Sequence, residues 1–159
     1  MFRNRSSEAT VFLGVAAVVL FFDQLSKRWI LSHCAPGGQC RQIIPGMLNW
    51  TFEENRHGAF GLFGSSPILL IGMALVVLAI FWFSFREAAS KSVVVRIAFG
   101  LILGGAVGNI VDRLHYQFVV DFIDFYRIWG NIFNLADSCI TAGVILLMLS
   151  SLAKSRRRT

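Results

Sequence analysis

The stretch Phe118-Val-Val-Asp121-Phe-Ile-Asp124-Phe-Tyr-Arg-Ile-Trp-Gly-Asn-Ile-Phe-Asn-Leu-Ala-Asp137-Ser138 places three carboxylic acids among aromatic and aliphatic residues, just before a long apolar run. A carboxylate in such surroundings loses hydration, which disfavours its charged form. Two carboxylic acids brought together there tend to share one proton, an arrangement that can activate water. Ordinary membrane packing does not call for such groups, so we interpret the rest of the chain as the support for this stretch.

The composition of the chain is that of a membrane protein. Of its 159 residues, 55% are hydrophobic and 15% are charged, whereas soluble domains average about 45–50% and about 25%. We therefore expect one integral membrane domain over residues 1–159 rather than a soluble helical bundle. The net charge of +6 would suit a nucleic-acid partner. The basic residues cluster at the ends of apolar runs, however, where they orient a membrane protein, so no nucleic acid is expected.

Four apolar runs predict four transmembrane helices, at about residues 9–31, 67–86, 93–113 and 135–153. The first run follows a basic start, as in a secretory signal, but it ends in Asp23-Gln24-Leu25-Ser26-Lys27 rather than in small residues at a cleavage point. We therefore expect this run to remain as a membrane helix. The predicted fold class is an all-α membrane protein.

The basic residues also predict the orientation of the helices. Nine of the fifteen Lys and Arg flank one side of the predicted spans: Arg3, Arg5, Arg86, Lys91, Arg96, Lys154, Arg156, Arg157 and Arg158. The positive-inside rule then places both termini and the short loop between the second and third spans in the cytoplasm. The two long loops, at about 32–66 and 114–134, are expected on the extracytoplasmic side.

With this orientation, carboxylates from three spans lie at one depth. The uncharged cores of the first, third and fourth spans are each too short to cross the bilayer. Each reaches the length of a full span only if its polar end is included, and these ends contain Asp23, Asp112 and Asp137. All three ends fall near the extracytoplasmic leaflet. Ionisable residues within a membrane span indicate function by default, so we expect the functional site at this level.

The two outer loops predict different structures. In the first loop, Leu48, Trp50 and Phe52 alternate with polar residues, the period-2 pattern of a half-exposed strand in a small sheet. The second loop, 114–134, is rich in aromatic residues, which suits an interfacial belt or a short helix that lies on the bilayer. The fold class thus includes a small extracytoplasmic β-sheet region and an interfacial helix or loop.

Several polar residues have a structural interpretation. Asp23 and Lys27 are one helical turn apart and are placed to form an ion pair. Asn109 and Asp112 share a helix face, with Arg113 beside them as a partner for a carboxylate. We expect this second group to act as a clamp that supports the site.

Asp121 and Asp137 differ, because neither has a basic residue three or four positions away. They lie on either side of a short loop, and Asn134 is one helical turn before Asp137 and within hydrogen-bonding reach of its carboxyl. From the residues alone, two functions remain open: a catalytic carboxylate pair, or a path that conducts protons or ions.

Small residues on the third span predict close helix packing. Gly100, Gly104 and Gly108 recur every four residues, a spacing that lets helix backbones approach each other in lipid. Gly108 lies near the polar end of this span. Its lack of a side chain would also leave room for a substrate close to the helix backbone.

The three cysteines do not form a disulfide framework. Cys34 and Cys40 are close enough in sequence to pair if their loop lies in an oxidising compartment. Cys139 lies within an apolar run and is interpreted as a buried side chain. His33 with Cys34 and Cys40 lacks a fourth ligand at a recognisable spacing, so no metal is expected.

Five blocks of the chain resemble, in their order, those of the lipoprotein signal peptidase (signal peptidase II) family, the membrane aspartic endopeptidases of bacteria. The blocks are Asp23-Gln24-Leu25-Ser26-Lys27, Glu54-Asn55-Arg56-His57-Gly58-Ala59-Phe60-Gly61, Gly104-Gly105-Ala106-Val107-Gly108-Asn109-Ile110-Val111-Asp112-Arg113, Val119-Val120-Asp121-Phe122 and Phe133-Asn134-Leu135-Ala136-Asp137-Ser138. The resemblance covers nearly the whole chain, and it implies four spans with both termini in the cytoplasm.

The resemblance also implies roles for individual residues. The catalytic pair is Asp121 and Asp137. The positions that match the family's supporting polar residues are Asn109, Asp112, Arg113 and Asn134, and those that match its substrate region are Asp23, Lys27 and Asn55. The implied reaction is removal of the signal peptide from a diacylglyceryl-modified prolipoprotein, by cleavage just before the lipidated cysteine.

The same resemblance sets expectations for partners and location. The substrate prolipoprotein and membrane lipids are the implied partners, no cofactor or metal is required, and the protein is expected to work as a monomer. The implied location is the bacterial cytoplasmic (inner) membrane, with the active site near the extracytoplasmic leaflet.

One block departs from the family pattern. Where the family has Asn-x-Gly, this chain has His57 in the Gly position, with Gly58 directly after it. Because His is strained at positive φ and Gly is not, we expect the flexible position of this turn to shift to Gly58.

Two other functions make different demands on the sequence. A proton-relaying transporter calls for polar residues near the bilayer midplane and in its cytoplasmic half, where this chain has almost none. A small scaffold subunit needs only the glycine-spaced third span, and it leaves Asp121 and Asp137 without a role.

Overall fold

The computed structural model describes residues 5–58, 66–88, 92–126 and 130–156. Within these residues, four helices and three strands follow one another. They are α1 (Arg5–His33), β1 (Gln39–Ile44), β2 (Leu48–Asn55), α2 (Pro67–Ala88), α3 (Val93–Tyr116), β3 (Val119–Asp124) and α4 (Leu135–Arg156). A helix occupies each of the four predicted apolar runs, and a strand occupies the alternating stretch that begins at Leu48.

Among the described residues, three helices are long and apolar enough to cross a membrane. They comprise Ala9–His33 of α1, Val93–Tyr116 of α3 and Leu135–Ala153 of α4. In α2, the apolar part that falls within the described residues, Pro67–Phe83, is shorter than a full span. The chain is therefore an integral membrane protein by the length and composition of these helices.

Helix α3 lies between α1 and α4, and its glycines explain how closely they pack. A Cβ atom on Gly104 would lie 2.6 Å from the carbonyl oxygen of Ala16 in α1. One on Gly105 would lie 2.5 Å from the carbonyl oxygen of Ala136 in α4. Since real Cβ atoms do not approach other atoms so closely, larger residues at these positions would push both neighbouring helices away. The predicted packing role of the glycine-rich span is confirmed.

The strands form one antiparallel sheet in the order β1-β2-β3. The middle strand pairs Glu53 with Asp121 and Asn55 with Val119. An isolated bridge between Ile123 and Phe133 continues the pairing toward the start of α4. This register brings the end of β2 beside the middle of β3, close to where α4 begins.

The prediction of an interfacial helix or loop for residues 114–134 is wrong for residues 119–124, which form β3. This segment is Val-Val-Asp-Phe-Ile-Asp, rich in the β-branched and aromatic residues that favour a pleated sheet. The open edge of β2 supplies the backbone hydrogen bonds that β3 requires. Tertiary pairing therefore decides the conformation of the segment.

The sheet packs on the end of α1 through a small apolar core. Ile30 of α1, Phe52 of β2, and Val120 and Phe122 of β3 are all buried there. Burying four such side chains contributes about 1.5–3 kcal/mol each. The sheet and the helices are joined at this end of the bundle, which we call the sheet-side end and define by Ile30 and the three strands.

Candidate active site

A buried ion cluster lies at the sheet-side end of the helices. The Lys27 Nζ atom lies 2.9 Å from Asp23 Oδ2 and 2.9 Å from Asp112 Oδ2, and it donates to Asn109 Oδ1 at 2.9 Å. Its three N–H donors therefore match three acceptors. Lys27 is 1% exposed and both carboxylates are 0% exposed. The predicted Asp23–Lys27 pair is confirmed, and Lys27 also pairs with Asp112 of α3.

Sequence reasoning missed Gln24 as a member of this cluster. Its side-chain amide donates to Asp112 Oδ1 at 2.9 Å, to Asp23 Oδ2 at 3.3 Å and to the Gly108 carbonyl at 3.3 Å. Two carboxylates share one ammonium group here, so a further donor between them offsets their repulsion. The signal in the sequence was the position of Gln24, directly after Asp23 in a block already recognised as unusual.

Asp23 also holds the start of α4. Its Oδ1 accepts a hydrogen bond from the backbone N–H of Ala136 at 2.9 Å, one of the amides that have no partner within a helix. A carboxylate at a helix N-terminus is further stabilised by the helix dipole. Gly108 makes this contact possible, because a Cβ atom on it would overlap the Asp23 carboxylate. The room that Gly108 leaves is thus occupied by Asp23.

Asn134 joins the two carboxylates at the centre of the site. Its Nδ2 donates to Asp121 Oδ1 at 2.6 Å. Its Oδ1 accepts from the Asp137 backbone N–H at 2.9 Å, and its own backbone N–H donates to Asp137 Oδ2 at 3.4 Å. These last two bonds form a reciprocal cap on the first turn of α4. The expected bond to the Asp137 carboxyl is therefore made by the backbone of Asn134, while its side chain bonds to Asp121.

Asn109 connects the carboxylate pair to the ion cluster. Its Nδ2 donates to Asp137 Oδ1 at 2.8 Å, while its Oδ1 accepts from Lys27 at 2.9 Å and from Asn134 at 3.3 Å. The amide orientation follows from these partners, since the oxygen must face the lysine. Asn109 therefore orients the Asp137 carboxyl from the side opposite the helix cap.

Asp121 is held on its other side by the sheet. Asn55, at the end of β2, donates from Nδ2 to Asp121 Oδ2 at 2.8 Å. The Oδ1 of Asn55 accepts from the backbone N–H groups of His57 at 3.2 Å and Gly58 at 2.9 Å. Gly58 has φ of 70°, so the expected shift of the flexible position from His57 to Gly58 is confirmed.

The surroundings of Asp121 favour its protonated form. Burial raises the pKa of Asp121 to about 7, and the nearby charge of Asp137 adds to this effect. Hydrogen bonds from Asn55 and Asn134 act in the opposite direction. At neutral pH, Asp121 therefore lies near the midpoint of its titration beside a second carboxyl, the state in which a pair shares one proton.

Arg113 lies near both carboxylates, although the sequence offered neither of them a basic neighbour. Its guanidinium interacts electrostatically with Asp137, Asp121 and Asp112. One nitrogen donates to the Asn109 carbonyl at 3.3 Å, whereas the buried Nε has no hydrogen-bond partner among the described residues. An unsatisfied donor beside a carboxylate pair is available to an oxygen of a bound molecule.

The structure thus gathers all ten residues that the sequence analysis selected, and it adds Gln24. Within the described ranges, no group of three or more His, Cys, Asp or Glu is placed to hold a metal ion. Asp121 and Asp137 are both hydrogen-bonded to Asn134, and Asp121 is near the midpoint of its titration at neutral pH. Such a pair can take a proton from water and return it to a leaving group. The fold and the site define an integral membrane protein with an aspartate pair at one end of its helices, in which Asp121 is buried and Asp137 is half-buried.

Comparison with known proteins agrees with this class. The family described as "Signal peptidase (SPase) II" matches residues 15–153. A lipoprotein signal peptidase of Syntrophomonas wolfei is 41% identical, over 92% of this chain and 95% of the relative. Another, of Fusobacterium nucleatum, is 34% identical over 95% of this chain and 92% of the relative. The chain therefore belongs to the signal peptidase II family, as its sequence blocks predicted.

Solved structures show the same fold. A bacterial membrane enzyme superposes with a TM-score of 0.85 at 30% identity, over 93% of this chain and 91% of the other. A second bacterial membrane enzyme gives a TM-score of 0.80 at 31% identity, over 89% and 92% of the two chains. The arrangement of the helices with the small sheet at one end is therefore shared with membrane enzymes.

Proposed function

We propose that this protein is an aspartic endopeptidase that removes the signal peptide from diacylglyceryl-modified bacterial prolipoproteins. It cleaves the peptide bond just before the lipidated cysteine. The observation that carries this proposal is that one residue, Asn134, is bonded to both aspartates. Its side-chain amide donates to the Asp121 carboxyl, and its side-chain oxygen accepts from the Asp137 backbone N–H. Membership of the signal peptidase II family supports the substrate class.

The proposed reaction uses the aspartate pair as a unit. One carboxylate removes a proton from a water molecule as that water attacks the scissile carbonyl. The protonated partner donates a hydrogen bond to the developing oxyanion and later protonates the leaving amine. Because the pair is coupled, neither role is assigned to one residue. The raised pKa of Asp121, about 7, supports a single shared proton at neutral pH.

The neighbouring residues orient the pair and receive the substrate. Asn55 and Asn109 each hold one carboxylate oxygen through a side-chain amide at 2.8 Å. The Nε of Arg113, which lacks a partner among the described residues, is available to a carbonyl oxygen of the peptide. The Asp23–Lys27–Asp112 cluster maintains the packing of α1 and α3 behind these groups.

We further propose four membrane spans, with α2 as the fourth, and both termini in the cytoplasm. The positions of the basic residues support this orientation. The site then lies near the extracytoplasmic leaflet of the bacterial inner membrane. A lipid-modified substrate can keep its diacylglyceryl group in the bilayer there while its peptide bond meets water. We expect the enzyme to act as a monomer, with the prolipoprotein and membrane lipids as partners and without a metal or cofactor.

The distribution of buried polar side chains favours an enzyme over a proton path. In the described part of the chain, the buried polar or charged residues are Asp23, Lys27, Asn49, Asn109, Asp112, Asp121 and Asn134. Asn49 and Asp121 lie in the sheet, Asn134 directly precedes α4, and the other four lie in α1 and α3 around the ion cluster. A relay across the membrane would require such groups along the length of the helices.

A gel-shift assay in detergent tests the proposal. The wild type is expected to release the signal peptide from a diacylglyceryl-modified prolipoprotein, whereas Asp121→Asn and Asp137→Asn are expected to fold without cleaving it. Asp124→Asn is the matched control, because Asp124 lies on β3 and bonds to Thr51 rather than to the pair. Cleavage by both Asp121→Asn and Asp137→Asn would reject the pair, and no cleavage by folded wild type would reject the function.

A further inference from the structure

A disulfide joins Cys34 to Cys40 where α1 meets the sheet. Their Cα atoms are 5.2 Å apart, within the usual disulfide range of about 4.4–6.8 Å. Neither cysteine belongs to the ion cluster or to the aspartate pair. The pairing that the sequence left open is present, and its position between α1 and the sheet points to a role in holding the sheet on the helix.

The Cys34 end of this crosslink is fixed to α1. The backbone N–H of Cys34 donates to the Ile30 carbonyl at 2.9 Å, so Cys34 continues the last turn of the helix. The same helix carries Asp23 and Lys27 of the ion cluster. Cys34 therefore moves with the helical part of the site.

The Cys40 end belongs to an edge strand with one neighbour. The β1–β2 register passes from Gln39 to Arg41 with a shift at Cys40, so Cys40 lies at an irregularity that has no partner residue in β2. Beside it, Gly37 donates to the Phe52 carbonyl at 2.8 Å and Phe52 donates to the Gly38 carbonyl at 3.1 Å. The loop that the disulfide closes is thus hydrogen-bonded to the backbone of Phe52 in the middle strand.

Phe52 connects the disulfide loop to the residues that hold Asp121. It packs with Ile30 and Val120 in the buried core, against which both cysteines also pack. Val120 immediately precedes Asp121, and Phe52 lies three residues before Asn55, which bonds to Asp121 at 2.8 Å. Asp121 therefore comes from the sheet, while its partner Asp137 comes from α4. The geometry of the pair depends on how the sheet sits on the helices.

We propose that the Cys34–Cys40 disulfide is a positioning crosslink that seats the sheet on α1 and so holds Asp121 in register with Asp137. Full activity then requires the oxidised crosslink, an inference that rests on the proposed function. The proposed orientation puts both cysteines on the extracytoplasmic side, where disulfides persist. Reduction by dithiothreitol transfers two electrons and two protons to the cysteine sulfurs, which yields two thiols and the cyclic disulfide of the reagent.

The reduced protein is expected to stay folded, because the buried core and the strand pairing remain. Its catalytic pair is expected to be held less accurately. A small displacement of a catalytic group costs up to about a hundredfold in rate, and we expect a loss of about tenfold in kcat. KM is expected to change little, because Arg113, whose Nε is the group we propose for the substrate carbonyl, lies on α3 rather than on the sheet. If the crosslink served stability alone, its reduction would lower the unfolding temperature and leave kcat unchanged.

Thiol labelling with a maleimide polyethylene glycol reagent defines the redox state for this test. The labelling is done after denaturation in SDS, and unreduced full-length protein is expected to label once, at the free Cys139. After reduction it is expected to label at all three cysteines. The kcat, KM and unfolding temperature are then measured for both states, and reoxidation is expected to restore kcat. Cys139→Ser is the matched control and should keep the response, whereas Cys34→Ser/Cys40→Ser should have the low kcat and no response to reductant.

Amide hydrogen exchange supplies a readout that does not need activity. Peptides covering 48–58 and 118–124 are expected to exchange faster after reduction, and a peptide from α3 is expected to be unchanged. Faster exchange together with lower kcat supports the crosslink as a positioning device. Three labelled thiols before reduction, or an unchanged kcat in verified reduced protein, would overturn it. If oxidised wild type cleaves nothing, the proposed function fails, and unchanged exchange would separately reject the seating role.

Discussion

Asn134 donates a hydrogen bond of 2.6 Å to Asp121, although the two residues lie on opposite sides of the loop between β3 and α4. Asn134 is fixed because its side-chain oxygen caps α4. The bond therefore couples the strand that carries one carboxylate to the helix that carries the other. Both halves of the aspartate pair are oriented by one amide group whose own position is set by a helix end.

Replacing Asn134 with alanine is expected to lower activity far more than stability. Loss of the cap costs about 1 kcal/mol, whereas loss of orientation in the pair is expected to lower kcat by about a hundredfold. The measurement is signal-peptide release under single-turnover conditions, together with thermal unfolding. Asn131→Ala is the control, because Asn131 is exposed in the same loop. An Asn134→Ala protein with near wild-type kcat would contradict the coupling.

The stability of the protein is expected to depend on pH through Asp121. Its pKa rises from an ordinary value of 3.8 to about 7 in the folded protein, so the folded state binds this proton more tightly than the unfolded state. Stability from this group is complete below pH 3.8 and falls as pH rises toward 7, by up to about 1.4 kcal/mol for each pH unit. Asp121→Asn removes this dependence.

Thermal unfolding in detergent from pH 5 to pH 8 measures this effect. The wild type is expected to lose stability across the range, and Asp121→Asn is expected to show a flatter profile. Asp124→Asn should follow the wild type, since it changes a carboxylate on the same strand outside the pair. Parallel profiles for wild type and Asp121→Asn would show that Asp121 is already charged at the acidic end.

Replacing Lys27 with methionine is expected to destabilise the fold strongly. The substitution retains an unbranched apolar stem but leaves Asp23 and Asp112 buried without their shared cation. Breaking a buried pair by removing one partner costs about 3–5 kcal/mol. The yield of folded protein and its unfolding temperature are the measurements. Arg28→Met is the control, because the adjacent Arg28 is exposed on the helix and is not part of the ion cluster. Equal unfolding temperatures for the two variants would argue against the cluster as a stabilising unit.

Replacing Gly108 with alanine is expected to damage the site through a single methyl group. The added Cβ would overlap the Asp23 carboxylate, which must then leave Lys27 or the start of α4. Gly72→Ala is the control, because a Cβ at that position in α2 meets nothing within 4 Å. In a helix interior, Gly→Ala by itself stabilises the helix by about 0.8–1.0 kcal/mol. We expect Gly72→Ala to keep its activity and Gly108→Ala to lose both stability and activity. A fully active Gly108→Ala would mean that Asp23 can move freely.

The aspartate pair could be predicted because its signal is local. Asp121 and Asp137 lie in apolar sequence without nearby basic residues, and their blocks resemble those of a known family. Gln24 was missed because nothing in its immediate sequence shows which groups lie opposite it. Its partners Gly108 and Asp112 are 84 and 88 residues away, and they meet it only after α1 packs on α3.

Lys27 was not predicted as a partner of Asp112 for the same reason. Adjacent residues on a helix point in different directions, and Lys27 of α1 reaches Asp112 across the helix interface at 2.9 Å. The glycine face of α3 allows that approach, since Gly104 would clash with α1 if it carried a Cβ atom. Packing distance, rather than closeness in sequence, selected the partner.

The sequence by itself determined the apolar helices, the polar ends that lie at one level, and the identity of the acidic residues. These features depend on hydration and periodicity, which act on each segment separately. Only the tertiary structure decided that residues 119–124 form a strand, that Asn134 joins the two aspartates, and that Asp23 caps α4 from 113 residues away. Such bonds are directional and span distant segments, so they exist only once close helix packing and strand pairing bring their donors and acceptors within 3 Å or so.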